Sequence, residues 1–412
     1  MNESFDYRSD GSQVNKSYDP YSEGSDVFAE ILSENKDAFR GPSPLQGESP
    51  ELYRARMNYE RGVEASAVTA KLRKASGYTA LTLFLFFIIR EGLTVPLGLI
   101  GSVISDELFN VLTYVFLIAQ YVFIAATVIY LMTLGQKSKP LTFFRTPEVS
   151  VWFVAKWTVI AFAVTHATAM LFNIIFEILE QAGLHVNDLS SPIPTGFTQN
   201  ALYFIAVVIC APIFEELIFR GLLLSKLSRF GGWFAVSVTG VLFGLFHMNH
   251  SQIFFATAFG IILGFVDLKA HSVIPSIISH AVFNGYSFLI SLAASFTNYE
   301  EYSASPETVE LTGNAAALFI YGLLEFLALA LMAVGALLLF IEIVRNRRTF
   351  MLPHCTSKMT VSEKCSRFFT HPLMIVYLVI VLGYTFVTSF VDVSAIMEEM
   401  NALLEAAEQI TP

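Results

Sequence analysis

Three short stretches put groups capable of acid–base chemistry inside otherwise apolar sequence. They are Pro212-Ile213-Phe214-Glu215-Glu216-Leu217-Ile218-Phe219-Arg220, Phe243-Gly244-Leu245-Phe246-His247 and His280-Ala281-Val282-Phe283-Asn284. Glu216 and Arg220 stand four residues apart with the acid first, the favourable order for an ion pair on one helix face. Glu215 is turned about 100° from Glu216 at 3.6 residues per turn. Arg220 can therefore neutralise one carboxylate while the other points into a chamber. His280 and Asn284 are spaced by four as well and project together. Pro212 has no N–H, which predicts a kink just before the acids and open space beside them. A carboxylate held away from bulk water is a competent general base, and donors aimed at a developing oxyanion usually make the largest catalytic contribution.

Each feature alone has a plainer reading. A buried Glu–Arg pair is more often structural than catalytic, and a single intramembrane His more often closes an interhelical hydrogen bond. Their depths argue for a common purpose. At 1.5 Å per residue, Glu215 lies about 16 Å from the end of its segment at Lys226, His247 about 22 Å in from Gly232, and His280 about 12 Å in from Ser272. A charge at the bilayer centre costs ~3 kcal/mol or more, so polar groups at that depth face a protein interior or a wet cavity. The same cost is met on three segments, which predicts one shared chamber.

The elements that must position these groups are apolar runs. Of 412 residues, 54% are hydrophobic and 15% charged, against about 45–50% and about 25% in an ordinary soluble domain. The polar breaks divide the chain into nine apolar segments, at approximately 76–99, 109–135, 150–179, 198–226, 232–248, 252–268, 273–293, 314–344 and 371–391. About 20 apolar residues cross the hydrocarbon layer. The expected fold is therefore an all-α polytopic bundle of eight or nine transmembrane helices. Lys and Arg cluster in alternate loops (Lys71, Arg73, Lys74; Lys137, Lys139, Arg145; Lys226, Arg229; Lys269; Arg345, Arg347, Arg348, Lys358, Lys364, Arg367), while the loops between contain none. This bias predicts a cytoplasmic N-terminus in a plasma-type membrane and a C-terminal tail on the other side.

The expected organisation is a polar, largely disordered cytoplasmic tail over 1–74, with room for a short amphipathic helix around Leu52 to Leu72, then a membrane domain over 75–395 and an acidic tail over 396–412. No apolar stretch precedes Tyr78, so the first span is expected to direct insertion itself. A net charge of −10 without a basic stripe argues against nucleic acid as a partner; membrane lipids are the expected surroundings. Cys210, Cys355 and Cys365 are too few for a disulfide framework, and His354-Cys355 with Cys365 fits no zinc spacing. Arg90 and Glu91 either gate the chamber or pair with each other, and the pairing is the expectation. Lys156, His166, Glu177 and Glu325 are expected to snorkel or bond locally, and His250 and His271 to be solvated span-end residues.

Taken together in order, Glu215-Glu216-x-x-x-Arg220, Phe243-x-x-x-His247 and His280-x-x-x-Asn284 resemble the signature motifs of the CAAX-protease and bacteriocin-processing family, the family of the type II CAAX prenyl endopeptidases. The resemblance covers roughly residues 198–290. It implies an intramembrane endopeptidase acting on a membrane-associated or lipidated peptide or protein. Glu215 would activate water, His247 would hold that water or a metal, His280 and Asn284 would stabilise the oxyanion, and Glu216 and Arg220 would support them. Whether a cofactor is needed stays open at this point. Glu215, His247 and His280 form a ligand set suited to a divalent metal such as zinc, yet Glu215 can act without one. His-Glu-x-x-His, Gly-x-Ser-Gly and Gly-x-Gly-Asp are absent from the chain. The competing interpretation is a non-catalytic membrane protein, an immunity factor, scaffold or transporter, that uses the same polar cluster to bind a partner or an ion.

Overall fold

The computed structural model describes residues 49–101, 104–136, 144–184, 186–187, 196–298, 302, 309–352 and 359–391. The tails over 1–48 and 392–412, together with His354, Cys355 and Lys358, lie outside the described residues, and so do the expectations that concern them. Ten helices make up the described chain: α1 (Pro50–Gly101), α2 (Asp106–Gln136), α3 (Val151–Gln181), α4 (Phe197–Phe230), α5 (Gly232–Phe246), α6 (His250–Ala270), α7 (Ile274–Ala294), α8 (Ala315–Arg345), α9 (Val361–Phe369) and α10 (Pro372–Phe390). The strand-like pairing among the described residues is a single bridge between Thr297 and Gly313. All of these helices except α5 and α9 hold segments long and apolar enough to cross a membrane, and α5 is a shorter apolar helix of 15 residues. Their outward faces are fatty, with Phe319, Phe326 and Phe340 on α8 and Val379 and Phe386 on α10 all exposed. A water-facing surface this apolar would be an association site everywhere. The protein is an integral membrane helical bundle.

The first helix begins earlier than composition suggests. Ser49 Oγ accepts from Leu52 N–H at 3.2 Å, Pro50 stands at the first helical position and Glu51 sits in the first turn, so cap, proline and acid together start a helix there. Residues 50–74, assigned above to the polar tail, are thus helical, and Val68 and Leu72 at their inner end are buried. Once a span has overcome the cost of nucleation, extending it costs little per residue.

The tightest helix–helix contact is the one between α5 and α6. A Cβ on Gly240 would come within 2.9 Å of Ile261 N, and one on Gly260 within 3.1 Å of the Gly240 Cα. Small residues at these positions let the two backbones touch, which is how apolar helices associate where lipid offers no hydrophobic gradient. The consequence for function is rigidity, because α5 carries His247 and α6 supplies the backbone carbonyl that anchors Arg220. At the Lys/Arg-rich end, side chains lace the helix termini to one another. Lys364 on α9 donates to Phe230 O at 2.8 Å, Lys269 to Met351 O at 2.5 Å and Trp233 Nε1 to Phe350 O at 3.0 Å. Those loops therefore share one end of the bundle, as the alternation of charge requires. Two expectations are corrected by these helices. Lys156 does not snorkel but pairs with Glu342 on α8, Nζ to Oε1 2.5 Å. His250 is buried rather than solvated, because its ring packs against Phe176 and Phe390.

Candidate active site

The acids sit on a helix that changes pitch. Within α4, Ile205–Cys210 and Leu217–Leu224 are wound as wide π turns, and Ala211–Glu216 between them is α-helical. Such wide turns leave one residue out of register and recur at functional sites. Pro212 explains the first of them, since it cannot donate in either register. The kink anticipated from the sequence is realised as a local widening of an otherwise continuous helix.

Glu215, Glu216, Arg220 and His280 converge as expected. Arg220 Nη1 lies 3.1 Å from Glu216 Oε1, and the same oxygen accepts from His280 Nδ1 at 2.9 Å. Arg220 Nη2 donates to Gly260 O on α6 at 3.1 Å, and its guanidinium lies over the Phe243 ring at 4.5 Å. Glu216 and Arg220 are 0% exposed. A charge pair this dry is held only because each partner has further contacts. On the opposite side of the imidazole, His280 Nε2 faces Glu215 Oε2 at 3.9 Å, and that buried oxygen has no hydrogen-bond partner among the described residues. The His280 ring therefore bridges a compensated carboxylate and an uncompensated one.

His247 and Asn284 stand at the edges of this cluster. His247 Nδ1 bonds the carbonyl of Phe243 at 2.8 Å, which leaves Nε2 for other work. The Phe243 ring meets both imidazoles edge-on, His247 at 5.0 Å and His280 at 5.7 Å. Met248, immediately after His247, is left-handed with φ 51°, a conformation that a bulky residue adopts only under constraint from its surroundings. Asn284 turns to α4, where its Nδ2 donates to Val207 O at 2.8 Å. The donor set named for a metal is not assembled: among the described residues no three His, Cys, Asp or Glu side chains are placed to hold one ion.

Sequence reasoning missed one participant and favoured another partner for a second. Asp267 on α6 is fully buried, and its carboxylate accepts from Ser276 Oγ at 2.7 Å and from Ser276 N–H at 3.3 Å. Helix α7 starts after Val273, which has no side chain able to cap it; Ser272 Oγ takes the Ile274 N–H, and Asp267 does the rest from the preceding helix. Ser276 is one turn before His280, so this cap sets the phase in which His280 is presented. Nothing in the sequence separates Asp267 from an ordinary charge at a span end. The second is Arg90, whose Nη1 donates to Phe246 O at 3.1 Å, the carbonyl just before His247. The expected partnership with Glu91 falls on a side chain outside the described residues. A cation at a helix C-terminus offsets the dipole and holds the last turn.

An interior that buries two acids, a guanidinium and an imidazole, with one oxygen of each acid left without a hydrogen-bond partner among the described residues, defines a polytopic membrane protein with a polar site inside the bundle. Residues 197–286 match the family model described as type II CAAX prenyl endopeptidase Rce1-like. That stretch runs from the start of α4 to just past Asn284, so the matched residues lie on the four helices that carry the cluster. No curated protein and no solved structure matches the chain.

Proposed function

We propose that the chain is an intramembrane endopeptidase that cleaves a membrane-associated, lipidated protein or peptide, and that Glu215 is its general base. The observation that carries this reading is the bare Glu215 Oε2 facing His280 Nε2 across 3.9 Å, within the stretch that matches a peptidase family. Glu215 takes a proton from water as the water oxygen bonds to the scissile carbonyl carbon. The carbonyl oxygen becomes an oxyanion, and a proton on His280 Nε2 together with the Asn284 carboxamide stabilises it. Glu215 then returns its proton to the amide nitrogen as the C–N bond breaks. With Nδ1–H donating to Glu216, a ring that also carries a proton on Nε2 is cationic. The carboxylates on either side balance that charge, and Arg220 keeps Glu216 from competing as a base. His247, with Nδ1 engaged by the Phe243 carbonyl, keeps Nε2 to hold the attacking water, as the resemblance implies. Preorganised groups of this kind contribute most in a dry site. The Lys/Arg-rich end, and with it the N-terminus, faces the cytoplasm of a plasma-type membrane.

The test uses the purified full chain in detergent and a peptide library that includes prenylated C-terminal peptides. Wild type should cleave at least one member. Glu215→Gln should lower kcat/KM by roughly 10²-fold or more, and His247→Ala should lower it as well. Equal cleavage by all three proteins, or none by wild type, removes the reading. Titration with phenanthroline on the active protein addresses the metal, because activity lost to the chelator and restored by zinc would require one.

A further inference from the structure

We infer that Asn284 acts on the site through the backbone: its carboxamide supplies the hydrogen bond that Pro212 withholds from Val207, and so fixes the wide turn that carries Glu215 and Glu216. In the first wide stretch of α4 the Ala211 N–H bonds Ala206 O, five residues back. Counted on by one, the donor that should reach Val207 O is residue 212, a proline with no N–H. Val207 O would then be stranded in an apolar bundle, where no solvent is at hand to replace the missing donor. Asn284 Nδ2 occupies the place of that donor at 2.8 Å.

The placement has a second consequence. Asn284 is one turn beyond His280 on α7, and His280 Nδ1 bonds Glu216 at 2.9 Å. One face of α7 thus grips α4 at two points on either side of Glu215: the backbone at Val207 and the side chain at Glu216. The wide turn sets the direction of Glu215, and a widened turn persists only where something pairs its surplus carbonyl. In this role Asn284 is a positioning residue, and its second amide hydrogen is left for the oxyanion role that the resemblance implies. Its effect on cleavage rests on the protease reading above, whereas its effect on α4 does not.

The experiment is a double-mutant cycle on the full chain: wild type, Asn284→Ala, Pro212→Ala and the double variant, each taken through thermal unfolding in detergent and cleavage kinetics. Asn284→Ala should lower Tm by about 4 °C and lower kcat roughly tenfold with KM within about twofold, as expected when transition-state alignment alone is lost. In the Pro212→Ala background the restored N–H can pair with the α4 ladder, so the same Asn284→Ala change should cost less than half as much in Tm. Contacts that share a partner are non-additive in this way. Equal Tm losses in the two backgrounds would overturn the inference, and so would an unchanged kcat in Asn284→Ala. If Asn284→Ala does not fold at all, recovery of a folded double variant supports the inference and failure of both overturns it. Should wild type cleave nothing, the protease reading falls while the Tm cycle still decides the hydrogen bond.

Discussion

Two buried ion pairs cross the interior of this bundle, and they end differently. Lys156 on α3 meets Glu342 on α8 at 2.5 Å, and the same Glu342 oxygen accepts from Asn346 Nδ2 at 3.2 Å. Glu216 and Arg220 on α4 meet at 3.1 Å, and the same Glu216 oxygen bonds His280 at 2.9 Å. Up to that point the two are alike: an acid, a base, and a third side chain on the acid's oxygen. The first chain of contacts stops at an exposed amide at the end of a helix. The second continues through a titratable ring to Glu215, whose outer oxygen is bare. A carboxylate pair joined through an imidazole can move a proton, and a pair joined to an amide can only hold two helices together. The chemistry proposed above rests on the group beyond the ion pair, since a buried ion pair by itself is weak evidence for anything more than architecture.

The largest effect should come from cutting the α4 pair. Arg220→Met leaves Glu216 dry and uncompensated, a loss of about 3–5 kcal/mol for a buried pair, visible as a large fall in Tm in detergent. Arg220→Lys should recover little of it, because an ammonium cannot reproduce the fork that serves both Glu216 and Gly260 O. A full rescue by Lys would show that only the charge matters.

The α3–α8 pair should be more forgiving. Lys156 is 16% exposed and lies near the Lys/Arg-rich end, so Lys156→Met should cost about 1–3 kcal/mol, the range for an acid left without its partner where water can still reach the pair. The double change Lys156→Met with Glu342→Leu should be near neutral, as buried pairs replaced by apolar residues often are. Cleavage should be unchanged in the double variant. A drop in kcat would break the comparison, because it would place the second pair in the chemistry too.

Much of this was readable in advance, for a physical reason. Nine apolar segments drawn from the sequence coincide with α1–α8 and α10 to within a few residues at most ends, because a span must be long enough to cross the hydrocarbon layer; α5, with 15 residues, is the exception. Glu216, Arg220 and His280 were legible because helical spacing puts i and i+4 on one face, and because each carries a cost that demands a partner. What stayed hidden involves the backbone or depends on an unrelated helix. Pro212 announced a disturbance in α4 but could not say whether the helix would bend or widen. Arg90 and Asn284 bond main-chain carbonyls, and a carbonyl leaves no trace in a residue pattern. Asp267 looks like a loop charge until the next helix proves to have Val273 where a capping side chain belongs.

That hidden cap gives an intermediate effect. Asp267→Ala removes the acceptor for Ser276 N–H and Oγ, which should cost about 1–2 kcal/mol as for the loss of an N-cap. It should also lower activity, since α7 presents His280. Asp267→Asn keeps an acceptor oxygen and should retain most of both. If Asp267→Ala lowers Tm with kcat/KM intact, the cap supports the fold only and the site extends no further than the motifs.

The smallest effect sharpens the comparison from outside the bundle. Glu363 on α9 is an acid in water: its carboxylate accepts from Thr360 N–H at 2.7 Å, while Thr360 Oγ1 accepts from Glu363 N–H at 3.2 Å. That reciprocal cap holds the Glu363 carboxyl below the usual carboxylate range, first through the Thr360 N–H and then through its hydroxyl. A folded-state depression means the contribution is complete above the ordinary glutamate range and is lost as pH falls through the lowered one. Thr360→Ala should therefore lower Tm slightly at neutral pH, by less than Asp267→Ala does. The gap between Thr360→Ala and wild type should narrow in strongly acidic buffer, where Glu363 is protonated in both, and keep the part that comes from Thr360 Oγ1 accepting the Glu363 N–H. A Thr360→Ala effect as large as that of Arg220→Met would mean that α9, laid across the end of α4 by Lys364, governs the cluster from a distance.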